Sequence, residues 1–102
     1  MIAVDTNVLI RLLVQDDPDQ GRQAERLLQD ALLAGEDCFV SDPVLCEIEW
    51  VLESCYDASR ADVLAAIQEI ASRPPFLVED REKIRRAMSR YEKGRGDFSD
   101  YL

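Results

Sequence analysis

The chain opens with Met1-Ile-Ala-Val-Asp5-Thr-Asn7-Val-Leu-Ile10, in which an apolar run, an aspartate and the start of a helical pattern follow one another. Residues 2–4 are a short apolar run typical of a buried strand, and the apolar residues that follow recur at helical spacing. Asp5 is therefore predicted at the C-terminal end of a strand, in the turn that leads into a helix. Because ligands bind at that edge of open α/β sheets, Asp5 is the first candidate for a functional residue.

Turn and capping residues divide the rest of the chain into alternating helices and strands. Asp17-Pro18 begins a helix that Gly35 ends, and Arg73-Pro74-Pro75 ends a later helix. The predicted strands are 2–4, 38–40 and 76–78, and the predicted helices start at Asp5, Asp17, Ser41, Ser59, Asp80 and Asp97. Alternation of this kind predicts a parallel sheet with helices on its faces.

Composition indicates one soluble globular domain of 102 residues, 47% hydrophobic and 32% charged. No apolar stretch approaches the ~20 residues that span a bilayer, and no basic region precedes the first apolar run, so we expect a cytoplasmic protein that does not contact a membrane. Cys38, Cys46 and Cys55 lack C-x-x-C spacing, and the chain contains no histidine. We therefore expect neither a zinc site nor disulfides, but mostly buried, reduced thiols.

The charge is unevenly distributed within a net charge of −9. Residues 81–95 form a basic strip, and the rest of the chain is acidic. The overall acidity argues against tight, non-specific nucleic-acid binding, whereas a basic strip beside acidic residues is compatible with a phosphodiester substrate. Arg85 and Arg86 are candidates for bidentate contacts with phosphates. The structural alternative is an exposed helix face with pairs such as Glu82 with Arg86.

Carboxylates are the main candidates for a catalytic centre, because there is no histidine to act as a general base. Besides Asp5, two acidic pairs could reach the same region: Glu47 with Glu49, and Asp97 with Asp100. Glu47 and Glu49 fall on opposite flanks of the apolar stripe of their helix, and periodicity does not choose between them. Helix capping for the aspartates and solvent exposure for the glutamates are the structural explanations.

Three separated stretches of the chain resemble the PIN-domain family, especially the VapC-type toxins of bacterial toxin–antitoxin pairs. They are residues 2–10 with Asp5, residues 41–52 with Glu47, and residues 97–102. The resemblance implies a single PIN-like domain over residues 1–102, an α/β fold in which a short parallel sheet lies in a three-layer α/β/α sandwich. Family members usually continue through another strand–helix portion, so we expect that portion to be missing here.

The resemblance further implies a metal-dependent endoribonuclease whose acids gather at the sheet edge. It selects Glu47 over Glu49 and favours Asp100 as the metal-binding acid of the third motif, with Asp97 assisting or only capping its helix. Thr6 and Asn7 would lie beside the site and hold Asp5 or a water. The implied catalytic residues are Asp5, Glu47, Asp97 and Asp100, and the implied metal ligands are Asp5, Glu47 and Asp100.

The expected cofactor is Mg²⁺ or Mn²⁺. Grouped carboxylates repel one another, and a hard cation that prefers oxygen ligands removes that repulsion. Such a cation lowers the pKa of a bound water, orients the water for in-line attack on phosphorus, and stabilises the leaving oxygen.

The implied partners are an RNA substrate, a cognate VapB-like antitoxin and a second copy of the chain in a homodimer. An antitoxin arginine could take the place of the metal at Asp5 and Glu47. Trp50, predicted on the outward side of its helix, and residues 27–32 offer apolar area for a partner helix or for self-association.

Two alternative functions use the same residues differently. The first is a truncated, catalytically weak PIN domain that binds an antitoxin or another copy of itself. The second is a phosphoryl-accepting, receiver-like domain, which would need a nucleophilic aspartate on a middle strand and a later lysine. The second strand ends in Val40-Ser41-Asp42, and the only lysines are Lys83 and Lys93, so this alternative ranks last.

Overall fold

The computed structural model describes all 102 residues and contains six helices and three strands. In chain order these are β1 (Ile2–Ala3), α1 (Thr6–Val14), α2 (Pro18–Ala34), β2 (Cys38–Val40), α3 (Asp42–Tyr56), α4 (Arg60–Ser72), β3 (Phe76–Val78), α5 (Arg81–Lys93) and α6 (Phe98–Tyr101). The predicted order of strands and helices is confirmed.

The sheet is parallel, with β2 between β1 and β3. Cys38 of β2 pairs with Ile2 on one side and with Phe76 on the other. Because all three strands run the same way, their C-terminal ends lie at one edge of the sheet. Asp5 follows β1 at that edge, and the starts of α3 and α5 follow β2 and β3.

Capping residues begin the helices where the sequence predicts them. The Asp5 carboxylate accepts a hydrogen bond from Val8 N (3.0 Å), and Asp17 caps α2 ahead of Pro18. Ser59 and Asp62 form a reciprocal capping box at the start of α4. Each such cap stabilises a helix by about 1 kcal/mol, so these residues set the helix boundaries.

A single hydrophobic core lies between the sheet and the helices. Its largest fully buried side chains include Tyr91 of α5 and Phe98 of α6, whose rings meet edge to face with centroids 6.2 Å apart. A helix of only four residues is not stable alone. Phe98 therefore anchors α6 to the rest of the domain through the core.

One expectation about the cysteines is wrong. Cys38 is buried and Cys46 is half-buried, but Cys55 is exposed. Burial raises the pKa of the Cys38 and Cys46 thiols. Cys55 lies on the last turn of α3, where the core no longer covers the apolar stripe.

The outward position predicted for Trp50 is confirmed, since 65% of this residue is exposed. Leu27 and Leu32 of α2 are also exposed. None of the helices combines the length and the hydropathy that crossing a bilayer requires.

Candidate functional site

Asp5 lies in the turn between β1 and α1, as predicted. Its Oδ1 accepts a hydrogen bond from Val8 N (3.0 Å), and the residue is exposed. The cap therefore occupies one carboxylate oxygen, and Oδ2 accepts no hydrogen bond from the protein. Asp5 can therefore cap α1 with one carboxylate oxygen and present the other at the edge of the sheet.

Glu47 is held at the turn that contains Asp5. Thr6 Oγ1 donates a hydrogen bond to Glu47 Oε2 at 2.6 Å, which joins the start of α1 to the middle of α3. Of the two glutamates that periodicity left open, Glu47 is therefore the one beside Asp5. Asn7 is exposed one residue further along α1.

Glu49 lies on the other flank of α3 and is the one buried charged residue, with 3% exposed. Its carboxylate accepts hydrogen bonds from Phe98 N (2.5 Å) and Ser99 N (3.1 Å), at the start of α6. The sequence pattern placed Glu49 at the border of the apolar stripe and did not predict this burial. The covering element is α6, whose position against α3 no local pattern encodes.

Asp97 and Asp100 begin α6 and are both exposed. Asp97 N donates a hydrogen bond to Asp100 Oδ2 at 2.8 Å, so Asp100 turns back towards the start of its own helix. The two aspartates therefore form a reciprocal capping box at the start of α6, which is the capping role considered for this pair.

One group of three acids has its oxygens within metal-binding range of one another. A carboxylate oxygen from each of Glu49, Glu53 and Asp97 lies within 4.8 Å of the other two. Asp5, Glu47 and Asp100 do not form such a group. The structure thus brings Glu47 to the turn of Asp5, whereas the hydrogen bond to Asp97 N directs Asp100 towards its own helix.

The acidic group around Glu53 creates an unfavourable environment for negative charge. Burial raises the pKa of Glu53, and the neighbouring Glu49 and Asp97 add to the increase. Tyr91 Oη donates a hydrogen bond to Glu53 Oε1 at 3.3 Å. Burial, reinforced by the charge of Glu53, raises the pKa of Tyr91 to about 12.

No basic side chain pairs with the acids of this region. The ion pairs of the protein lie elsewhere, and none of them includes Asp5, Glu47, Glu49, Glu53, Asp97 or Asp100. All six are hard oxygen donors, the type that Mg²⁺ and Mn²⁺ prefer. The donor set therefore fits a divalent cation.

The basic strip on α5 is partly paired on the protein surface. Arg85 donates to Glu82 (3.1 Å from Nε), and Arg86 lies 3.5 Å from the same carboxylate. Lys83 pairs with Asp42 at 2.5 Å, and this hydrogen bond raises the pKa of Lys83. The helix-surface pair of Glu82 with Arg86 is thus present, and phosphate binding by Arg85 or Arg86 would have to replace these contacts.

Comparison with known proteins identifies the family. The sequence profile of the PIN domain matches residues 2–102. A protein of Aquifex aeolicus (strain VF5) named VapC ribonuclease is 30% identical over 102 residues, which cover 100% of this chain and 75% of that protein. No solved structure gives a significant match. The chain belongs to the PIN-domain family.

This result confirms the resemblance drawn from the three motifs. The mostly helical architecture with its short, three-stranded parallel sheet is consistent with a PIN-like α/β fold. The strand-end aspartate, the acid-bearing helix and the acidic C-terminal motif all fall within the matched residues.

Proposed function

We propose that this chain is a VapC-type ribonuclease that cleaves RNA with the help of Mg²⁺ or Mn²⁺. Its similarity to a VapC ribonuclease supports the substrate class. The observation that carries the metal dependence is a grouping of acids that have no ion-pair partner, among which oxygens of Glu49, Glu53 and Asp97 lie within 4.8 Å of one another and Glu47 reaches the turn of Asp5. A protein that keeps such charges together gains from a bound cation.

The proposed ligands are Asp5, Glu47 and Asp100, with Asp97 assisting. The free Oδ2 of Asp5 and the hydrogen bond that fixes Glu47 to Thr6 support the first two. Asp100 accepts the hydrogen bond from Asp97 N through Oδ2, which leaves its Oδ1 for the cation. Asn7, exposed in the first turn of α1, is available to hold a water or the substrate.

The bound cation and the side chains around it have different roles in hydrolysis. A bound divalent cation supplies an activated water and stabilises negative charge on the leaving oxygen. Asp5 and Glu47 hold that cation at the sheet edge, and Thr6 fixes the orientation of the Glu47 carboxylate. We place neighbouring phosphates on Arg85 and Arg86, whose planar guanidinium groups suit bidentate contacts.

Glu49, Glu53 and Asp97, whose oxygens lie within 4.8 Å of one another, form a second candidate ligand set. We favour the first set because both oxygens of Glu49 already accept hydrogen bonds and only 3% of the residue is exposed. A cation bound there would share the Glu49 oxygens with two backbone donors.

The direct test is Mn²⁺-dependent cleavage of a structured RNA by the chain and by Asp5→Asn. We expect the substitution to lower the cleavage rate by roughly 100-fold or more, because it removes a proposed ligand charge. Asp37→Asn is the matched control, since Asp37 is exposed and its side chain makes no hydrogen bond. Equal rates for Asp5→Asn and the control at saturating Mn²⁺ would contradict the proposal.

We also propose that a VapB-like antitoxin inhibits the site and that the chain forms a homodimer. The unpaired carboxylates of Asp5 and Glu47 suit an arginine side chain from such a partner. Exposed Trp50, Leu27 and Leu32 provide apolar contact area. Sedimentation at micromolar concentration tests the dimer, and a clean monomer would contradict it. If the chain binds an antitoxin but cleaves no RNA with Mn²⁺, the binding-module alternative is correct.

A further inference from the structure

Helix α6 carries both acids of the third motif, yet it contains only four residues. Such a helix depends on contacts from other elements for its position. Phe98 is buried in the core and Tyr101 and Leu102 pack against it, but apolar contacts of this kind do not fix the direction of the helix start. The position of Asp97 and Asp100 therefore depends on what binds the first backbone N–H groups of α6.

Glu49 supplies those contacts from a distant part of the sequence. Its Oε2 accepts from Phe98 N at 2.5 Å and its Oε1 accepts from Ser99 N at 3.1 Å. The first N–H groups of a helix have no partner within the helix, and in α6 those of Phe98 and Ser99 are bound by Glu49, whereas Asp97 and Asp100 form a reciprocal capping box. A carboxylate that accepts two such donors in a buried place forms strong, directional hydrogen bonds.

The segment that leads into α6 is held as well. Arg60 donates to Tyr91 O at 2.6 Å and to Gly94 O at 3.2 Å, at the end of α5. Its guanidinium carbon lies 4.1 Å from the centroid of the Tyr91 ring. Glu49 is nevertheless the group that contacts the backbone directly beside Asp97.

Helix α3 thus contacts two acidic motifs through two glutamates. Glu47 accepts from Thr6, next to Asp5, and Glu49 accepts from Phe98 and Ser99, next to Asp97. Both glutamates belong to one regular helix. Their spacing along α3 therefore fixes the position of Asp5 relative to that of Asp97.

We propose that Glu49 is a positioning residue, whose buried carboxylate sets where Asp97 and Asp100 lie relative to Asp5 and Glu47. We assign it this role and not that of a metal ligand, because both of its oxygens point at α6 and only 3% of the residue is exposed. The inference rests on the proposed function, since Asp97 and Asp100 matter only if they serve a metal centre.

The test compares Glu49→Gln with Glu53→Gln. Both substitutions remove one charge from the same acidic group, but only Glu49 accepts hydrogen bonds from α6. Glutamine at position 49 keeps one acceptor oxygen and places an amide nitrogen, a donor, against the other backbone N–H. Glu49→Gln preserves the size of the side chain, which keeps the variant folded.

The first readout is hydrogen exchange at the amides of Phe98 and Ser99, measured by NMR without metal. We expect exchange at these amides to be about tenfold faster in Glu49→Gln, with unchanged exchange at core amides of α3 such as Ile48. In Glu53→Gln, the amides of Phe98 and Ser99 should exchange at the same rate as in the unmodified protein. Unchanged exchange in Glu49→Gln would overturn the inference.

The second readout is Mn²⁺ affinity, which a merely stabilising residue would not alter. We expect Glu49→Gln to raise the apparent Kd for Mn²⁺ by about tenfold, the smaller end of the range for residues that orient ligands. Faster amide exchange with unchanged Mn²⁺ affinity would overturn the positioning role while the proposed function stands. If the unmodified protein itself binds no Mn²⁺, the proposed function fails and the positioning role fails with it.

Discussion

Glu53 is the residue whose surroundings most clearly disfavour its charge. It lies near Glu49 and Asp97, and burial is the main cause of its raised pKa. A carboxyl group with a raised pKa in the folded state binds more protons folded than unfolded. Stability therefore falls as the pH rises above the ordinary glutamate value, and the loss is complete above the raised pKa.

Glu53→Gln should remove this pH-dependent cost. Above the ordinary pKa of glutamate we expect a higher Tm than in the unmodified protein, by roughly 2–4 °C for a gain of about 0.5 kcal/mol. The glutamine oxygen can still accept the hydrogen bond from Tyr91. Thermal unfolding at acidic and at neutral pH measures the effect. A Tm difference of equal size at both pH values would contradict the account.

Thr6 is predicted to act on the site through Glu47. Thr6→Val keeps the size and the branching of the side chain but removes the hydroxyl that donates to Glu47 Oε2. We expect Mn²⁺ affinity to fall about tenfold in Thr6→Val, whereas Thr6→Ser, which keeps the hydroxyl, should bind Mn²⁺ nearly as the unmodified protein does. If both variants bind Mn²⁺ equally well, the hydrogen bond does not orient a ligand.

At the level of helices and strands, local signals in the sequence predicted each element. Proline and capping residues such as Asp17 and Ser59 mark helix starts that the structure confirms. The docking of α6 on α3, and with it the burial of Glu49, could not be predicted in this way. Glu49 and Phe98 are 49 residues apart, and the periodicity of α3 cannot show which element covers each flank.

Alanine substitutions at Gly94 and Gly21 test how α6 packs against the end of α5. Alanine at Gly94 would place its Cβ 2.7 Å from Arg90 O and against the Tyr101 hydroxyl, so the end of α5 or the whole of α6 would have to move. We expect Gly94→Ala to lower the free energy of unfolding by about 1–3 kcal/mol. Denaturant unfolding measures this change.

Gly21→Ala is the control for that substitution. Gly21 lies within α2, and the nearest atom to an added Cβ is 3.6 Å away, an ordinary contact. The better helix propensity of alanine should make this variant more stable by about 0.5–1 kcal/mol. Equal effects at Gly21 and Gly94 would mean that α6 does not pack against the end of α5 as described.

For the molecule as a whole, the arrangement of charge is more informative than the net value of −9. The sequence predicted the strand-end Asp5, the acid-bearing α3 and the acidic third motif, and the family match covers all of them. It did not predict that Asp97 lies with Glu49 and Glu53, while Asp100 turns back to its own helix. These details depend on side-chain contacts between distant segments, which spacing along the chain does not specify.

We propose that Asp5 and Glu47 hold a divalent cation at the edge of the sheet. The most direct test is a crystal of the protein soaked in Mn²⁺, with the metal located by its anomalous scattering. We expect a manganese peak about 2 Å from carboxylate oxygens of both Asp5 and Glu47, the ordinary distance for a small hard cation. A manganese peak at Glu49, Glu53 and Asp97 instead, or no peak near any of these acids, would contradict it.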